Sequence, residues 1–371
     1  MKKSLSLLLI CALVVSLLCS CSGKSDTGLS EDYRIVRDHL DIDVKVPKEV
    51  KRIAVTNIFP IPSVLCVFFD SASKIVEMAP ASMTAAKNSL LGKLYPELLN
   101  VDTSAVDGDD VNIEELMKTK PDLVIYSAST PALGEKLRNA GLSAVALSVN
   151  KWDYDCVETL NHWLELFEEI FPDESSKRSE LVKKYSSESL DLIKERTGKL
   201  SDDEKANVLF LFQYSDSAIV SSGKNFFGQW WADASGAKNV AKELEKDNSV
   251  PVTLEQIYKW NPDTILITNF NKYYPDDLYN NTVGNYDWSQ INAVINKRVF
   301  KMPLGMYRSY TPGIDTPVTL KWMAKTIYPS LFEDIDITSE TKKYYKDIFG
   351  ITLTDEEADS IFNPSSLAGV F

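Results

Sequence analysis

The strongest constraint on this chain is a phrase that it contains twice. Residues 111–127 read VNIEELMKTKPDLVIYS and residues 252–268 read VTLEQIYKWNPDTILIT, at a constant offset of 141 residues, with Val, Glu, Lys, Pro and Asp coincident. Each copy reads as a short helix carrying Val-x-(Ile/Leu)-Glu, then a proline that disfavours helical geometry in the residue before it, then an aspartate that turns the chain into an apolar strand. Helix, Pro-Asp and strand follow one another in many α/β proteins. A constant offset that aligns Glu114 with Glu255 at two helix starts is more specific, and it predicts two lobes of like construction.

The rest of the chain fits two lobes. Apolar runs at 53–55, 74–78, 123–126 and 144–148 read as strands, with helices over 112–119 and 130–140 between them. From Trp152 to about Arg196 there is no glycine and little strand signal. Leu181, Val182, Tyr185, Leu192, Ile193 and Arg196 recur near helical spacing, which predicts a long helix over 173–196 with Asp173 as its cap. Strands resume at 207–214, 218–220, 264–268 and 298–302, and the tail from Thr338 reads as two short helices. The expected division is an N-terminal α/β lobe over 44–150, a helical linker over 151–205, a C-terminal α/β lobe over 206–335 and a helical tail over 336–371. A length of 371 residues exceeds what one core usually supports.

The first 20 residues, MKKSLSLLLICALVVSLLCS, have two lysines, an apolar run and no acid, the layout of a secretory signal peptide. The run ends in Leu18-Cys19-Ser20-Cys21, which resembles the lipobox of bacterial lipoproteins and implies Cys21 as the lipidated N-terminus of the mature chain. Residues 21–43 are then a lipidated cysteine and a flexible, polar tether. Several acyl chains anchor stably where one does not. Loss of the leader removes two lysines and no acid, taking the net charge from −13 to −15. A chain this acidic, with no cluster of Lys and Arg, is a poor partner for nucleic acid. Cys66 and Cys156 both sit in apolar contexts and read as buried thiols rather than as a disulfide framework.

Taken in order, the stretches VPKEVKRIAVTN, VNIEELMKTKPDLVI, QWWADASGAKNVA, VTLEQIYKWNPDTILIT and KRVFKMPLGMYRSYTPGIDTPVTLKWMAKTIYP resemble the iron-chelate and cobalamin family of periplasmic binding proteins, the substrate-binding proteins of ABC importers. The resemblance implies two Rossmann-like lobes joined by a single long helix, with ligand in the cleft between them. It also implies that Glu114 and Glu255 each dock into an arginine pocket of a two-fold permease dimer with its ATPase subunits. The protein is then a monomer, lipid-anchored at the outer face of the cell membrane, with no cofactor of its own.

Ligands of α/β folds contact the loops at the carboxyl ends of strands. Those loops supply Phe59, Ser82 and Lys87 from the first lobe, and Tyr214, Lys224, Trp230, Asn269, Tyr307, Arg308 and Tyr310 from the second. Their aromatic density suits a bulky flat ligand, and Lys224 and Arg308 could answer negative charge on a ferric chelate. Trp231 and Phe227, by contrast, read as lobe core. The expected ligand is therefore a ferric siderophore, with haem or cobalamin in its place, and molybdate or tungstate as the alternative within the fold. Two histidines, His39 and His162, cannot form a histidine-rich site for a bare metal ion. As an enzyme the chain has little to offer: it lacks a phosphate loop and a Gly-x-Ser-x-Gly elbow. A hydrolase using paired carboxylates is the rival from another class, and no residue is assigned a catalytic role.

Overall fold

The computed structural model describes residues 32–174, 177–244 and 248–369. The expected signal peptide, Cys21 and the tether up to residue 31 lie outside the described residues. Among the described residues, no helix is long and apolar enough to cross a membrane.

Each lobe is built on a four-stranded parallel sheet. In the first the order is Ile75–Met78, Ile53–Val55, Leu123–Ser127, Ala144–Leu147; in the second it is Lys238–Asn239, Asn207–Leu211, Thr264–Ile267, Val299–Lys301. Ile53–Val55, Leu123–Ser127 and Ala144–Leu147 are buried throughout, as expected of parallel strands covered on both faces. A three-stranded antiparallel sheet of Gln213–Tyr214, Ile219–Ser222 and Ser249–Val252 extends the second lobe.

The repeat has a matched structural role in both lobes. Its helices are Ile113–Lys118, capped by Asn112, and Leu254–Trp260, capped by Thr253 in a capping box with Gln256. The aspartate after each proline does more than turn the chain. Asp122 Oδ2 accepts from the Lys51 and Arg52 amides at 2.8 and 2.9 Å, and Asp263 Oδ2 accepts from the Asn207 amide at 2.8 Å. Each aspartate thereby fixes the start of the neighbouring strand in its own lobe.

A helix of 21 residues, Lys177–Thr197, joins the lobes and spans about 30 Å at 1.5 Å per residue. Its buried face carries Ser179, Ser186, Ser189 and Thr197, of which Ser186, Ser189 and Thr197 return their hydroxyls to carbonyls four residues back. The helix Thr316–Ile327 packs along it.

Three boundaries differ from expectation. The folded body begins by Tyr33, because Tyr33–Arg37 pairs with Asp43–Pro47 and buries Val36, Val44 and Val46 in the first core, so the tether does not reach 43. The segment 151–205 is not one linker: the helix Cys156–Ile170 places Leu160, Trp163, Phe167 and Ile170 in the core of the first lobe. The tail is not an appendage either, since the helices Ile337–Phe349 and Asp355–Phe362 bring Tyr344, Tyr345, Ile348 and Ile361 into that same core. Cys66 and Cys156 are buried free thiols.

Candidate functional site

Between the lobes lies an open cavity of about 1220 Å³. One wall is the segment after the strand Ala144–Leu147, with Lys151, Trp152, Asp153 and Tyr154; the other is the start of the helix Phe227–Ala234 and the loop before it, with Lys224, Asn225, Gln229 and Trp230. Asp153 and Tyr154 both have left-handed backbone, at φ 50° and 59°, a costly conformation for side chains other than glycine. This kink carries the Tyr154 hydroxyl across to Asn248 Oδ1 at 2.6 Å, joining the two walls.

Trp152 is held on both sides by the chain's two histidines, edge-on to His39 at 4.9 Å and stacked on His162 at 4.1 Å. Burial, with help from the Lys151 ammonium, pushes the His39 imidazole down to about 4, and its Nδ1 accepts from the Ser148 amide at 3.1 Å. His39 is therefore a neutral structural group at physiological pH. Among the described residues, no group of three or more His, Cys, Asp and Glu could hold a metal ion.

From the cavity a row of rings leads along the second lobe. Tyr154 contacts Phe226 at 5.4 Å, Phe226 contacts Phe212 at 5.2 Å, and Phe212 contacts Phe270 at 5.2 Å. The Arg308 guanidinium lies over Phe270 at 5.2 Å, a cation–π contact at the far end of the row. The loop bearing Arg308 is fixed from below by Asp315, which accepts from the Tyr345 hydroxyl at 2.7 Å and the Met306 amide at 2.5 Å. Burial pushes the Asp315 carboxyl up to about 6. The loop 268–274 is tied by Lys301, whose Nζ donates to the carbonyls of Thr268, Asn271 and Tyr273 at 2.8 to 2.9 Å.

The ten residues expected to bind ligand separate into groups. Lys224 and Trp230 line the cavity. Arg308 meets the first lobe in the seam, where its Nη1 donates to the Ala81 carbonyl and also to the hydroxyl of the buried Tyr307. Ser82 and Phe59 form a brace, the Ser82 hydroxyl donating to the Phe59 carbonyl at 2.8 Å. Lys87 is exposed at the end of the helix Pro80–Lys87, away from the cavity walls.

Three expectations are corrected. Tyr214 is core: its hydroxyl accepts from Trp288 Nε1 at 2.9 Å, and burial pushes its phenol up to about 12. Tyr310 is wholly buried among Phe210, Phe226 and Phe227. Asn269 is a buried strap whose Nδ2 donates to the Met302 and Pro303 carbonyls at 2.8 and 3.0 Å. Trp152 and Tyr154, outside the expected set, also line the cavity. They follow a strand end as directly as the expected loops do, but they fall in the segment 151–205 that reads as a linker.

The repeated helices face away from this chemistry. Residues 112–118 and 253–259 share one burial pattern position for position, with Glu114 and Glu255 exposed in the first turns. Met117 and Tyr258, also at the 141-residue offset, are 48% and 37% exposed, unusual for large apolar side chains here.

Residues 79–304 match the profile of the family described as "Periplasmic binding protein". The chain is 28% identical over 373 residues to the molybdate-binding protein MolA of Haemophilus influenzae, covering 92% of this chain and 98% of that one. A periplasmic solute binding protein from Veillonella parvula superposes with a TM-score of 0.78 at 31% identity, covering 89% of this chain and 97% of the other. CeuE of Helicobacter pylori, solved as a Ni-His complex, shares the fold with a TM-score of 0.71 at 21% identity, covering 89% of this chain and 99% of that one. Two like lobes on one bridging helix, a cavity between them and relatives matched over nearly their whole length lead to one assignment: this chain belongs to the periplasmic binding protein family, the extracytoplasmic substrate-binding proteins of ABC importers.

Proposed function

We propose that this protein captures a metal chelate of the ferric-siderophore class in the inter-lobe cavity and delivers it to an ABC permease; haem and cobalamin are ligands of comparable bulk. The observation that carries this reading is the size and lining of the cavity. At about 1220 Å³, with Trp152, Tyr154 and Trp230 on its walls, it exceeds the ~300–1,000 Å³ of ordinary ligand pockets. An oxyanion of four oxygens needs on the order of 100 Å³, taking about 30 Å³ per water-sized atom. The lining carries both signs, Asp153, Asp155, Glu158, Asp233 and Glu243 with Lys151, Lys224 and Lys242, which favours a chelate of low net charge over a trianion.

A second reading, molybdate or tungstate, is supported by the likeness to MolA across 92% of the chain and by the Arg308 guanidinium at the end of the aromatic row. In either case the mature chain is a monomer, lipidated at Cys21 and held at the outer face of the cell membrane. Glu114 and Glu255, with Met117 and Tyr258 beside them, dock on the permease.

The deciding experiment is a titration of the chain lacking residues 1–21 with ferric hydroxamates, ferric catecholates, haem, cobalamin, molybdate and tungstate, followed by tryptophan fluorescence and thermal unfolding. A ligand at a hundredfold excess over Kd stabilises by about 2.7 kcal/mol. Chelate binding that quenches Trp152 and Trp230 is expected. Stabilisation by the oxyanions alone would replace the first reading with the second.

A further inference from the structure

The last described turn of the chain is lodged in the seam between the lobes. After the helix Asp355–Phe362 the Pro364 carbonyl accepts from the Tyr274 hydroxyl, and the chain enters a 3₁₀ turn, Ser366–Gly369. This turn packs on the helix Pro80–Lys87 of the first lobe. On its other side Gly369 presses on the second lobe so closely that a Cβ there would lie 2.1 Å from the Asn271 carbonyl oxygen and 2.8 Å from the Lys272 nitrogen. Ala368 is fully buried, and its carbonyl receives two hydrogen bonds from Arg308, from Nε at 3.0 Å and from Nη2 at 2.6 Å.

That edge of a guanidinium is the fork that matches the paired oxygens of an anion. Here one neutral carbonyl oxygen takes both donors. Hydrogen bonds from a guanidinium to a charged oxygen are roughly twice as strong as those between neutral groups, so an anionic oxygen is the better partner for the same fork. The turn also leaves Leu367 60% exposed, so little apolar burial secures it.

We infer that the Ser366–Gly369 turn is a displaceable occupant of the ligand site, the Ala368 carbonyl holding the place on Arg308 that an oxygen atom of the ligand takes. Tail docking and ligand binding then compete. The inference rests on the proposed ligand site extending from the cavity along the aromatic row to Arg308, and it adds that the chain's own backbone is the first competitor there. The apparent Kd equals the intrinsic Kd divided by the fraction of molecules whose tail is undocked.

The test is Gly369→Val, whose side chain meets the Asn271 backbone and expels the turn without altering a cleft residue, with Tyr274→Phe as a milder second variant that removes the bond to Pro364. Three readouts apply: labelling of Arg308 by phenylglyoxal mapped by mass spectrometry, amide exchange over 364–369, and titration with a ferric trihydroxamate and with tungstate. Arg308 should be protected in the wild-type protein and reactive in Gly369→Val. The probe that binds should do so at least fivefold more tightly to Gly369→Val, with Tyr274→Phe in between, and at saturation should speed exchange of 364–369 in the wild-type protein. Arg308 still protected in a variant whose tail exchanges freely would overturn the inference. So would equal or weaker probe affinity in that variant, or unchanged tail protection in the saturated wild type. Labelling of Arg308 without binding of either probe to any form would support the tail as its cover and overturn the proposed ligand classes instead.

Discussion

Glu77 should make stability fall as pH rises, and Glu77→Gln should abolish that dependence. The side chain is fully buried in the strand Ile75–Met78, where Oε1 accepts from the Ala105 amide at 3.1 Å and Oε2 has no hydrogen-bond partner among the described residues. Burial pushes the carboxyl from its ordinary 4.5 up to about 7, with the Asp102 carboxylate adding to the effect. A carboxyl raised in the folded state contributes stability that is fully present below about 4.5 and is lost as pH rises through about 7. At about 1.4 kcal/mol per pH unit the loss amounts to about 3 kcal/mol. Urea unfolding of the wild-type protein and of Glu77→Gln at pH 4.5, 6, 7 and 8.5 measures it. A buried glutamine amide carries a cost of its own, but that cost does not vary with pH and cancels in the comparison. The variant should therefore gain about 2–3 kcal/mol relative to wild type between pH 4.5 and 8.5. Parallel stability curves would refute the reasoning. The position matters beyond stability, because Ala105 in turn accepts from the Asn112 amide, so Glu77 links a strand leading to the cleft with the cap of the helix that bears Glu114.

Three further outcomes are expected. Glu114→Lys combined with Glu255→Lys should abolish uptake while leaving ligand affinity unchanged, since losing one partner of an interfacial charge pair costs about 2–5 kcal/mol and distant sites add; full uptake by the double variant would remove these helices from the docking surface. Cys21→Ala should end acylation and release the protein from the membrane or trap its precursor, and labelling with radioactive palmitate distinguishes this from an unlipidated leader. Gly134→Ala should destabilise the first lobe by about 1–3 kcal/mol in urea unfolding, because the added methyl would stand 1.9 Å from the hydroxyl of the buried Tyr126; an unchanged midpoint would mean that Tyr126 can move.

What the sequence made legible was local. The strands 53–55 and 264–267 and the helices at 113–118 and 254–260 announce themselves through apolar runs, caps and Pro-Asp turns, all within a few residues. Composition could not say which way a ring faces. Tyr214 and Trp230 both lie in aromatic stretches near strand ends, yet one packs under Trp288 and the other lines the cavity. The structure places Gln213 and Tyr214 on opposite faces of a strand, Gln213 exposed and Tyr214 buried. Arg308 lies in a strand-end loop as expected of its sequence context, but it donates to a carbonyl 60 positions further along the chain, a contact that no local pattern encodes. The tail reads as two short helices, and where they pack is not legible because their apolar residues fit an amphipathic pattern equally well on any surface.

The bridging helix also determines how the molecule comes apart. Val182 and Tyr185 belong to the core of the first lobe and Ile193 to that of the second, and the helix Thr316–Ile327 divides in the same way, with Val318 in the first core and Leu320 and Met323 in the second. Neither lobe can melt without stripping apolar surface from the other. Two lobes that look separable are therefore one cooperative unit, and a calorimetric scan should give a single endotherm whose van't Hoff and calorimetric enthalpies agree. Lobes of the ordinary multidomain kind, joined by an exposed linker, would melt in two steps.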